Sequence, residues 1–348
     1  MDKILITGCA GFIGYHLSNH FLQKGDIVFG IDNLSRNGSQ INLKLLENSH
    51  SNKNQFYYKN LDITDITSLE SLFIDKGPFD LVIHEAAQVA VTTSILDPFQ
   101  DFEINARGTL NLLECCRKYS PNSFFEFAST NKVYGELNNH QVIETETRSE
   151  YKNLTDGISE TENLDFHSPY GCSKGSADQY VKDYYRIFGL KSVVFRQSCI
   201  YGTQQFGVED QGWIAWFIIA SILNKKINVY GNGKQVRDIL WIDDLIELYD
   251  ISYQNASKVA GQVFNIGGGK SNTLSILELL TTLSDYNILS EQPVFQDWRP
   301  GDQKIYVSDI SKIKSTINWE PKISPEIGIK KLIDWVKDNK ELISLLHK

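Results

Sequence analysis

The fold of this chain is decided by the stretch Lys3-Ile4-Leu5-Ile6-Thr7-Gly8-Cys9-Ala10-Gly11-Phe12-Ile13-Gly14. Its first five residues are an apolar run that predicts a buried strand, and the following amphipathic pattern predicts a helix that Gly25 ends. The glycine spacing between them, G-x-x-G-x-x-G, is a variant of the dinucleotide fingerprint. Gly8 allows the tight turn, Gly11 lets a pyrophosphate approach the backbone, and Gly14 lets helix and strand pack closely. The stretch therefore predicts a βαβ unit that binds a dinucleotide.

An acidic residue follows the second predicted strand, as the fingerprint requires. The apolar run 27–31 leads to Asp32, about twenty residues after the glycines. A carboxylate at this position accepts hydrogen bonds from both ribose hydroxyls and repels a 2′-phosphate, which favours NAD over NADP. Arg36 leaves NADP open, because an Arg could instead bind that phosphate.

Strands and helices continue to alternate through residues 1–200. Strands are predicted at 55–58, 80–84, 123–128 and 191–196, and helices at 65–75, 99–118 and 168–188. This order predicts an α/β fold with a doubly wound parallel sheet of the Rossmann type, whose ligands bind beyond the carboxyl ends of the strands. Residues near those ends complete the predicted NAD site: Phe12, Ile13, Asn33, Ser35, Asp62, Ile63, Ala86, Ala87, Gln88 and Asn105. For Asp62, capping of the following helix is an equal alternative to a bond with the adenine amino group.

The alternation weakens after residue 200, where helices at 213–223 and 274–283 and a terminal helix at about 325–346 mix with short strands near 227–230, 237–241 and 262–266. We therefore expect residues 1–200 to form the NAD-binding Rossmann domain. Residues 201–348 should form mainly a smaller mixed α/β lobe that binds substrate, with 228–266 partly crossing back. Residues 136–165 are polar and irregular, and we predict an insertion or a flexible loop there.

Composition excludes several other classes of protein. The 348 residues are 41% hydrophobic and carry a net charge of −9, and no basic run suggests a nucleic-acid partner. The five cysteines, at 9, 115, 116, 172 and 199, have no metal-ligand spacing, so we predict free thiols and no metal site. The longest strongly apolar run, 213–223, is about half of the ~20 residues that span a bilayer, and a strand begins at Lys3. We expect a cytoplasmic protein without a signal peptide or a membrane partner.

Tyr170 and Lys174 lie four positions apart on the helix predicted at 168–188, so their side chains share one face. Pro169 suits the first turn of that helix and Ser168 suits its cap. A free Tyr titrates near pH ~10, and a neighbouring ammonium stabilises its phenolate. The pair could take a hydroxyl proton while hydride leaves the same carbon. Taken alone, however, the spacing is more often that of a surface pair on an amphipathic helix.

Four segments together resemble the extended short-chain dehydrogenase/reductase family of nucleotide-sugar epimerases and dehydratases, over essentially the whole chain. They are the glycine loop with Asp32, Ser129-Thr130 at a strand end, Tyr170-x-x-x-Lys174, and Gln235-Val236-Arg237-Asp238 followed by Asp243-Asp244-Leu245. The resemblance implies a tightly held NAD and proton transfer by Tyr170. It implies that Lys174 lowers the pKa of Tyr170 and binds the nicotinamide ribose. Thr130, with Ser129 as second choice, would hold the sugar oxygen and polarise the ketone.

Smaller differences bear on the reaction. The dehydratases of the family carry Asp-Glu after the Thr, whereas this chain has Asn131-Lys132, which argues against elimination of water. The strings at 129–135, 164–175, 195–202 and 205–213 are similar to epimerases that invert carbon 2 of a CDP-linked dideoxyhexose. The resemblance implies a CDP-linked deoxysugar as substrate, with Arg237 and Arg299 on the diphosphate. It implies further substrate contacts from Gln88, Thr130, Asn131 and Gln211. A surface ion pair with a neighbouring Asp is the alternative for each Arg.

Two other functions stay open. The first is another epimerase of the same fold, acting on carbon 4 of a UDP-hexose or on carbon 2 of CDP-glucose. The second is a dinucleotide-sensing protein without turnover, although such proteins tend to lose the Tyr or the Lys that this chain retains. The helices predicted at 99–118 and 168–188 could pair across a two-fold axis, as in this family. We therefore expect a homo-oligomer, either a dimer or a tetramer.

Overall fold

The structure is a computed structural model and describes residues 1–50, 55–289, 291–299 and 302–347. The strands are β1 (Lys3–Thr7), β2 (Ile27–Asp32), β3 (Phe56–Asn60), β4 (Leu81–His84), β5 (Phe124–Thr130), β6 (Val142–Glu144), β7 (Ser149–Tyr151), β8 (Ser192–Gln197), β9 (Cys199–Tyr201), β10 (Asn228–Tyr230), β11 (Val236–Trp241), β12 (Val263–Ile266), β13 (Thr273–Ser275), β14 (Val294–Gln296) and β15 (Ile305–Tyr306). The α-helices are α1 (Phe12–Lys24), α2 (Ser39–Ser49), α3 (Ile66–Lys76), α4 (Val91–Leu96), α5 (Pro98–Phe102), α6 (Gly108–Tyr119), α7 (Ser168–Phe188), α8 (Trp213–Ile222), α9 (Ile242–Gln254), α10 (Ala256–Val259), α11 (Ile276–Asp285), α12 (Ser311–Ile317), α13 (Pro325–Asp338) and α14 (Lys340–Leu346).

Seven strands form the central sheet, in the order β3-β2-β1-β4-β5-β8-β12. Every neighbouring pair in it is parallel. The strand order reverses between β1 and β4, and a crevice opens at such a switch point beyond the carboxyl ends of the strands. The predicted doubly wound α/β fold is confirmed.

The sheet is buried on both faces because its strands alternate apolar side chains between two cores. Ile4 and Ile6 of β1 belong to one core, which also contains residues of α8, α9 and α13. Leu5, between them, belongs to the other core, together with residues of α3, α6 and α7. A strand with successive side chains on opposite faces must be apolar throughout when helices cover both faces. The unbroken apolar run at the start of the chain has this cause.

The second half of the chain is organised around β11 rather than around a wide sheet. This strand pairs with β9 and β15 in parallel and with β13 antiparallel, and β10 pairs with β14. In contrast, β12 leaves this region and becomes an edge strand of the central sheet beside β8. The second half of the chain is therefore assembled from many short elements separated in sequence.

Residues 136–165 pack against the second half of the chain, so the expectation of a flexible loop is wrong. The hairpin β6–β7 lies here, and the Tyr151 hydroxyl donates to the Ile305 carbonyl at 2.9 Å. Leu137 and Ile158 are buried in a small core with Tyr306. A few apolar side chains anchor a segment whose polar composition suggested no structure.

Two predicted helices are interrupted. The helix predicted at 99–118 consists of α5, a π-helical turn at Glu103–Arg107, and α6. The terminal helix predicted at 325–346 is divided at Asn339 into α13 and α14. In the ranges that the structure describes, no helix combines the length and apolarity that crossing a membrane requires.

Candidate active site

A single cavity of about 570 Å³ extends from the glycine loop to the second half of the chain. Its lining includes nearly all of the residues predicted for the site: Gly8, Gly11, Phe12, Ile13, Gly14, Asp32, Asn33, Ser35, Arg36, Asp62, Ile63, Ala86, Ala87, Ser129, Thr130, Asn131, Tyr170, Lys174, Gln211, Arg237 and Arg299. The predicted cofactor, reaction and substrate groups thus face one continuous space. Tyr170 and Lys174 lie in its wall and are not a surface pair.

The glycine loop has the close backbone contacts that the fingerprint predicts. Gly8 has a φ of +68°, and a Cβ there would lie 2.8 Å from the Ala86 backbone nitrogen. A Cβ at Gly14 would lie 2.0 Å from the Gly8 carbonyl oxygen, so helix α1 could not approach the turn. No side chain caps the N-terminus of α1, which leaves its amide hydrogens and its dipole for a phosphate group. The loop fits the pyrophosphate of a dinucleotide.

Asp32 is held at the end of β2 by two backbone donors. Its carboxylate accepts from the Ala10 N–H at 3.0 Å and from the Leu34 N–H at 2.8 Å. Burial raises the pKa of Asp32, and these hydrogen bonds oppose that rise by stabilising the anion. The carboxylate therefore lies rigidly beside the glycine loop, where an adenosine ribose would be recognised.

Asp62 shapes a turn rather than capping the next helix. Its carboxylate accepts from the Thr64 N–H at 2.9 Å and from the Asn33 side-chain amide at 2.8 Å. The cap of α3 is Asp65, which accepts from the Ser68 N–H at 3.1 Å. The helix-cap alternative for Asp62 is therefore wrong, and its carboxylate remains in the cavity wall.

Tyr170 is only 8% exposed, near the start of α7. The Ser168 hydroxyl accepts from the Gly171 N–H at 3.2 Å, as expected of a capping side chain. Burial raises the pKa of Tyr170 to about 12, and the negative charge of Asp101 also raises it, whereas a hydrogen bond with the Thr130 hydroxyl lowers it. Thr130 is therefore in direct contact with the proposed base.

Lys174 reaches the carboxyl end of β5 from one helical turn beyond Tyr170. Its Nζ donates to the Ala128 carbonyl at 2.5 Å and lies 4.3 Å from the centre of the Phe127 ring. Burial lowers the pKa of Lys174 to about 8, opposed by the carboxylates of Glu85, Asp178 and Asp101. The ammonium is therefore desolvated and oriented, the state in which one charge acts most strongly on its neighbours.

Ser129 and Thr130 are adjacent but have different partners. The Ser129 hydroxyl donates to Asp178 at 2.8 Å, and the same buried carboxylate binds the Arg196 guanidinium through two bonds of 2.9 Å. This network commits the Ser129 hydroxyl to the protein interior. Thr130 is thus the better candidate for a contact with the sugar oxygen.

Gln88 and Asn105, which we expected to contact the cofactor and, for Gln88, the sugar, are not part of the cavity lining. The Gln88 side-chain amide donates to Asp101 at 2.7 Å, and the Asn105 amide donates to the Ser173 hydroxyl at 3.1 Å. Ser173 in turn donates to Asp101 at 2.5 Å. These buried bonds fix α7 against the π-helical turn and so hold Tyr170 and Lys174 in place.

Arg237 and Arg299 pair with carboxylates that are distant in sequence, not with an adjacent Asp. Arg237 binds Asp302 at 2.8 Å, and Arg299 binds Asp210 at 2.8 Å with its guanidinium 3.8 Å from the centre of the Tyr230 ring. All of these groups line the cavity. Pro300 and Gly301, which follow Arg299 in the sequence, lie outside the described residues.

Sequence reasoning missed several residues of the cavity wall: Glu85, Lys132, Gln197, Cys199, Glu209, Asn228, Tyr230, Gln235 and Asp302. Lys132 is the clearest omission, because it directly follows a strand end already assigned to the site. Its Nζ lies 3.8 Å from Asp302, and burial and the Arg237 charge lower its pKa to about 8. Glu85 had the same signal, since it directly follows β4. Tyr230 had none, because only the tertiary fold brings it to Arg299.

Among the residues that the structure describes, no group of three or more His, Cys, Asp or Glu side chains could hold a metal ion. The residues of the cavity are instead a glycine loop, cationic side chains and one Tyr-Lys pair.

Known proteins match this chain along nearly its whole length. The family model described as GDP-mannose 4,6 dehydratase matches residues 5–332. The CDP-paratose 2-epimerase of Salmonella typhi is 46% identical over 338 residues, which cover 96% of this chain and 98% of that protein.

Two solved structures have the same fold. The dTDP-glucose 4,6-dehydratase of Bacillus anthracis, in complex with NAD, has a TM-score of 0.81 and 26% identity, covering 99% of this chain and 100% of that one. The UDP-glucuronic acid 4-epimerase of Bacillus cereus, in complex with UDP-glucuronic acid and NAD, has a TM-score of 0.79 and 28% identity, covering 97% and 99%. The chain belongs to the extended short-chain dehydrogenase/reductase family of NAD-dependent nucleotide-sugar epimerases and dehydratases.

Proposed function

We propose that this protein is an NAD-dependent epimerase that inverts carbon 2 of CDP-paratose to give CDP-tyvelose. The observation that carries the proposal is the contact between Thr130 and Tyr170 in a cavity that also contains the glycine loop and Arg237. The 46% identity with the Salmonella typhi CDP-paratose 2-epimerase supports this choice of substrate and carbon.

The glycine loop, the N-terminus of α1, Asp32 and Lys174 are the groups that would hold NAD. When bound, NAD would accept a hydride from carbon 2 and return it to the opposite face of the same carbon. Carbon 2 has no adjacent carbonyl that would acidify its hydrogen, so direct deprotonation is implausible. Oxidation followed by reduction from the other face inverts the centre without a carbanion.

Tyr170 moves the proton of the sugar hydroxyl in this reaction. As a phenolate it accepts that proton while the carbon is oxidised, and it returns the proton on reduction. Its pKa, which burial raises to about 12, must fall for this role, and the Lys174 ammonium one turn away is the protein's own source of positive charge. The Thr130 hydroxyl bonds the same oxygen and polarises the carbonyl that forms.

Arg237, Arg299 and Lys132 place three cationic side chains, paired with Asp302 and Asp210, at one end of the cavity, and such side chains suit the diphosphate of the substrate. The Tyr230 ring and the Glu209 carboxylate line the same end of the cavity and are the groups we propose for binding the cytosine base of the substrate. Holding the nucleotide at this end leaves the sugar ring free to present its second face to the cofactor.

The groups that follow Thr130 speak against dehydration. Asn131 donates to the Gln303 side chain at 3.3 Å, and Lys132 lies near Asp302. Elimination of water needs an acid and a base at this point, and an amide with an ammonium supplies no such carboxyl pair.

The proposal includes the assembly and location of the protein. Apolar side chains are exposed on α4 and α5, where Leu96 and Phe99 are each 86% exposed, and on α7, where Ile187 is 66% exposed. Such faces favour pairing of two copies into a homodimer or a larger homo-oligomer. Sedimentation equilibrium tests the assembly, and a monomer at micromolar concentration would contradict it.

We also propose that the enzyme is cytoplasmic. Residues 1–200 would form the NAD-binding domain, and residues 201–348 would form mainly the substrate lobe.

The test of the reaction is a panel of CDP-paratose, CDP-tyvelose, CDP-glucose, UDP-glucose and UDP-glucuronic acid, each incubated with the enzyme and NAD. Chromatography and proton NMR identify each product and the inverted carbon. The proposal predicts interconversion of CDP-paratose and CDP-tyvelose. Preferred turnover of a UDP-sugar at carbon 4, or of CDP-glucose, would replace it with one of the other epimerase activities, and no turnover would favour a dinucleotide-sensing protein.

A further inference from the structure

A carboxylate with no role in the reaction described above lies in the wall of the cavity. Glu85 is the first residue after β4 and is partly buried among the small residues of the cofactor crevice. A charged side chain at such a position loses much of its hydration, so its partners decide whether it stays ionised.

The second half of the chain supplies those partners. The Tyr249 hydroxyl, on α9, donates to Glu85, and the Gln197 side-chain amide donates to the same hydroxyl at 2.8 Å. Tyr249 is fully buried, and Gln197 pairs in register with Thr130 across β5 and β8. The chain Gln197–Tyr249–Glu85 therefore fixes the carboxylate relative to the reacting end of the sheet.

Glu85 and Lys174 approach the same point at the carboxyl ends of β4 and β5. His84 pairs in register with Phe127, so the next residues, Glu85 and Ala128, leave the two strands side by side, and the Ala128 carbonyl accepts from the Lys174 Nζ. Burial raises the pKa of Glu85 to about 7, and the Tyr249 hydrogen bond and the Lys174 charge oppose that rise. In return, Glu85 makes the largest contribution among the carboxylates that raise the pKa of Lys174 and so oppose the effect of burial on its ammonium group. Each group thus favours the ionised form of the other.

The other titratable groups around the pair are Asp178, Asp101, His84 and Glu126. Asp178 is bound to Arg196, and Asp101 accepts from Ser173 and Gln88. His84 is buried between two threonine hydroxyls, and burial lowers its pKa to about 3, so it is neutral at pH 7. Glu126 is fully buried on the neighbouring strand, and burial raises its pKa well above the ordinary value.

We propose that Glu85 is a positioning residue whose carboxylate, held by Tyr249, keeps Lys174 protonated above pH 7. Its effect on catalysis rests on the proposed function, because Lys174 must be charged to favour the Tyr170 phenolate. The sign is that of an opposite-charge pair: an ionised Glu85 raises the pKa of Lys174, and its removal lowers that pKa. The alkaline limit of activity should therefore move to lower pH when Glu85 is neutralised.

The direct test is an NMR titration of the full chain, with and without NAD, in which lysine is labelled with ¹³C at Cε. The Lys174 resonance is assigned with Lys174→Arg. In Glu85→Gln the Lys174 midpoint should fall by about one pH unit, typical of the loss of an opposite charge at close range. Tyr249→Phe retains the carboxyl but removes its donor, so a smaller fall in the same direction is expected. A Lys174 midpoint unchanged in both variants would overturn the proposal.

Glu126→Gln is the matched control, because it replaces a fully buried carboxyl on the neighbouring strand that is not among the charges acting on Lys174. It should leave the Lys174 midpoint unchanged. A shift in Glu126→Gln as large as that in Glu85→Gln would mean that both act through general disturbance of the fold, which also overturns the proposal. Near-ultraviolet circular dichroism verifies folding, and Tyr249→Phe carries the test alone if Glu85→Gln does not fold.

The kinetic consequence is measured on the pH profile of kcat/KM. A Lys174 pKa near 7 instead of about 8 leaves roughly a tenth of the ammonium at pH 8 instead of half, so activity at pH 8 should fall about fivefold and at pH 6 hardly at all. The NMR shift without turnover of any CDP-sugar would refute the proposed function and retain this inference. Turnover of CDP-paratose with no NMR shift would retain the proposed function and refute the inference about Glu85.

Discussion

The two ends of the cavity are built in different ways. At the end proposed for the cofactor, the glycine loop, Asp32 and Asp62 belong to consecutive turns of one sheet, and backbone donors hold the carboxylates. At the end proposed for the substrate, Arg237 and Arg299 lie on separate short segments, and ion pairs with Asp302 and Asp210 hold them. The cofactor end is a property of local sequence, whereas the substrate end exists only after long-range folding. Tyr170 and Lys174 lie between them, on a helix of the first half.

The largest expected effect is the loss of turnover in Tyr170→Phe, with binding at both ends of the cavity unchanged. Tyr170→Phe should lower kcat by about a thousandfold or more, because general acid–base groups contribute about 10²–10⁴ in rate and the variant removes the hydroxyl that is hydrogen-bonded to Thr130. The affinity for NAD and for CDP-sugars should stay within about twofold of the unmodified enzyme. Product chromatography and isothermal titration calorimetry measure the two quantities.

Tyr180→Phe, on the same helix but 45% exposed, is the control and should retain full turnover. Near-normal turnover of Tyr170→Phe would refute the assigned proton transfer. It would also contradict the distinction between residues that carry the reaction and residues that bind cofactor or substrate.

A change at the substrate end should affect substrate alone. Arg237→Gln removes a charge-assisted contact of about 1.5–3 kcal/mol and leaves Asp302 without that partner, so KM should rise about ten- to a hundredfold. NAD affinity should not change. The exposed pair of Arg186 with Asp183 supplies the control, since Arg186→Gln should leave KM unaltered. An equal loss of NAD affinity in Arg237→Gln would contradict the division of the cavity.

A smaller effect is expected at the cofactor end. Asp32→Asn keeps the size of the side chain but removes the charge that two backbone donors contact and that we propose for the ribose hydroxyls of NAD. NAD affinity should fall about tenfold, typical of one charged hydrogen bond, and the preference for NAD over NADP should narrow. Fluorescence titration with both dinucleotides measures this. Asp65→Asn, at a helix cap outside the cavity, is the control and should change the affinity for neither dinucleotide. An unaltered preference for NAD over NADP in Asp32→Asn would contradict the role of Asp32 and assign that preference to Arg36 instead.

The same contrast explains what the sequence could predict. Gly8, Gly14 and Asp32 follow a periodic strand–turn–helix pattern, so fold and cofactor loop are readable from a short stretch. The order of segments was enough to associate Thr130 with Tyr170. The placement of Gln88 could not be predicted, because a residue beyond a strand end can turn towards the helices as easily as into the crevice, and here Asp101 accepts a hydrogen bond from its side-chain amide. Glu85 and Tyr249 lie 164 residues apart, and no local pattern connects them.

The most direct test of the account follows the hydrogen on carbon 2. CDP-paratose deuterated at that carbon is converted in ordinary water with catalytic enzyme and NAD, and the product is analysed by mass spectrometry and proton NMR. Transient oxidation within a closed site predicts CDP-tyvelose that retains deuterium at carbon 2. Product with hydrogen from solvent at carbon 2 would contradict hydride transfer, and with it the assignment of Tyr170 and Lys174.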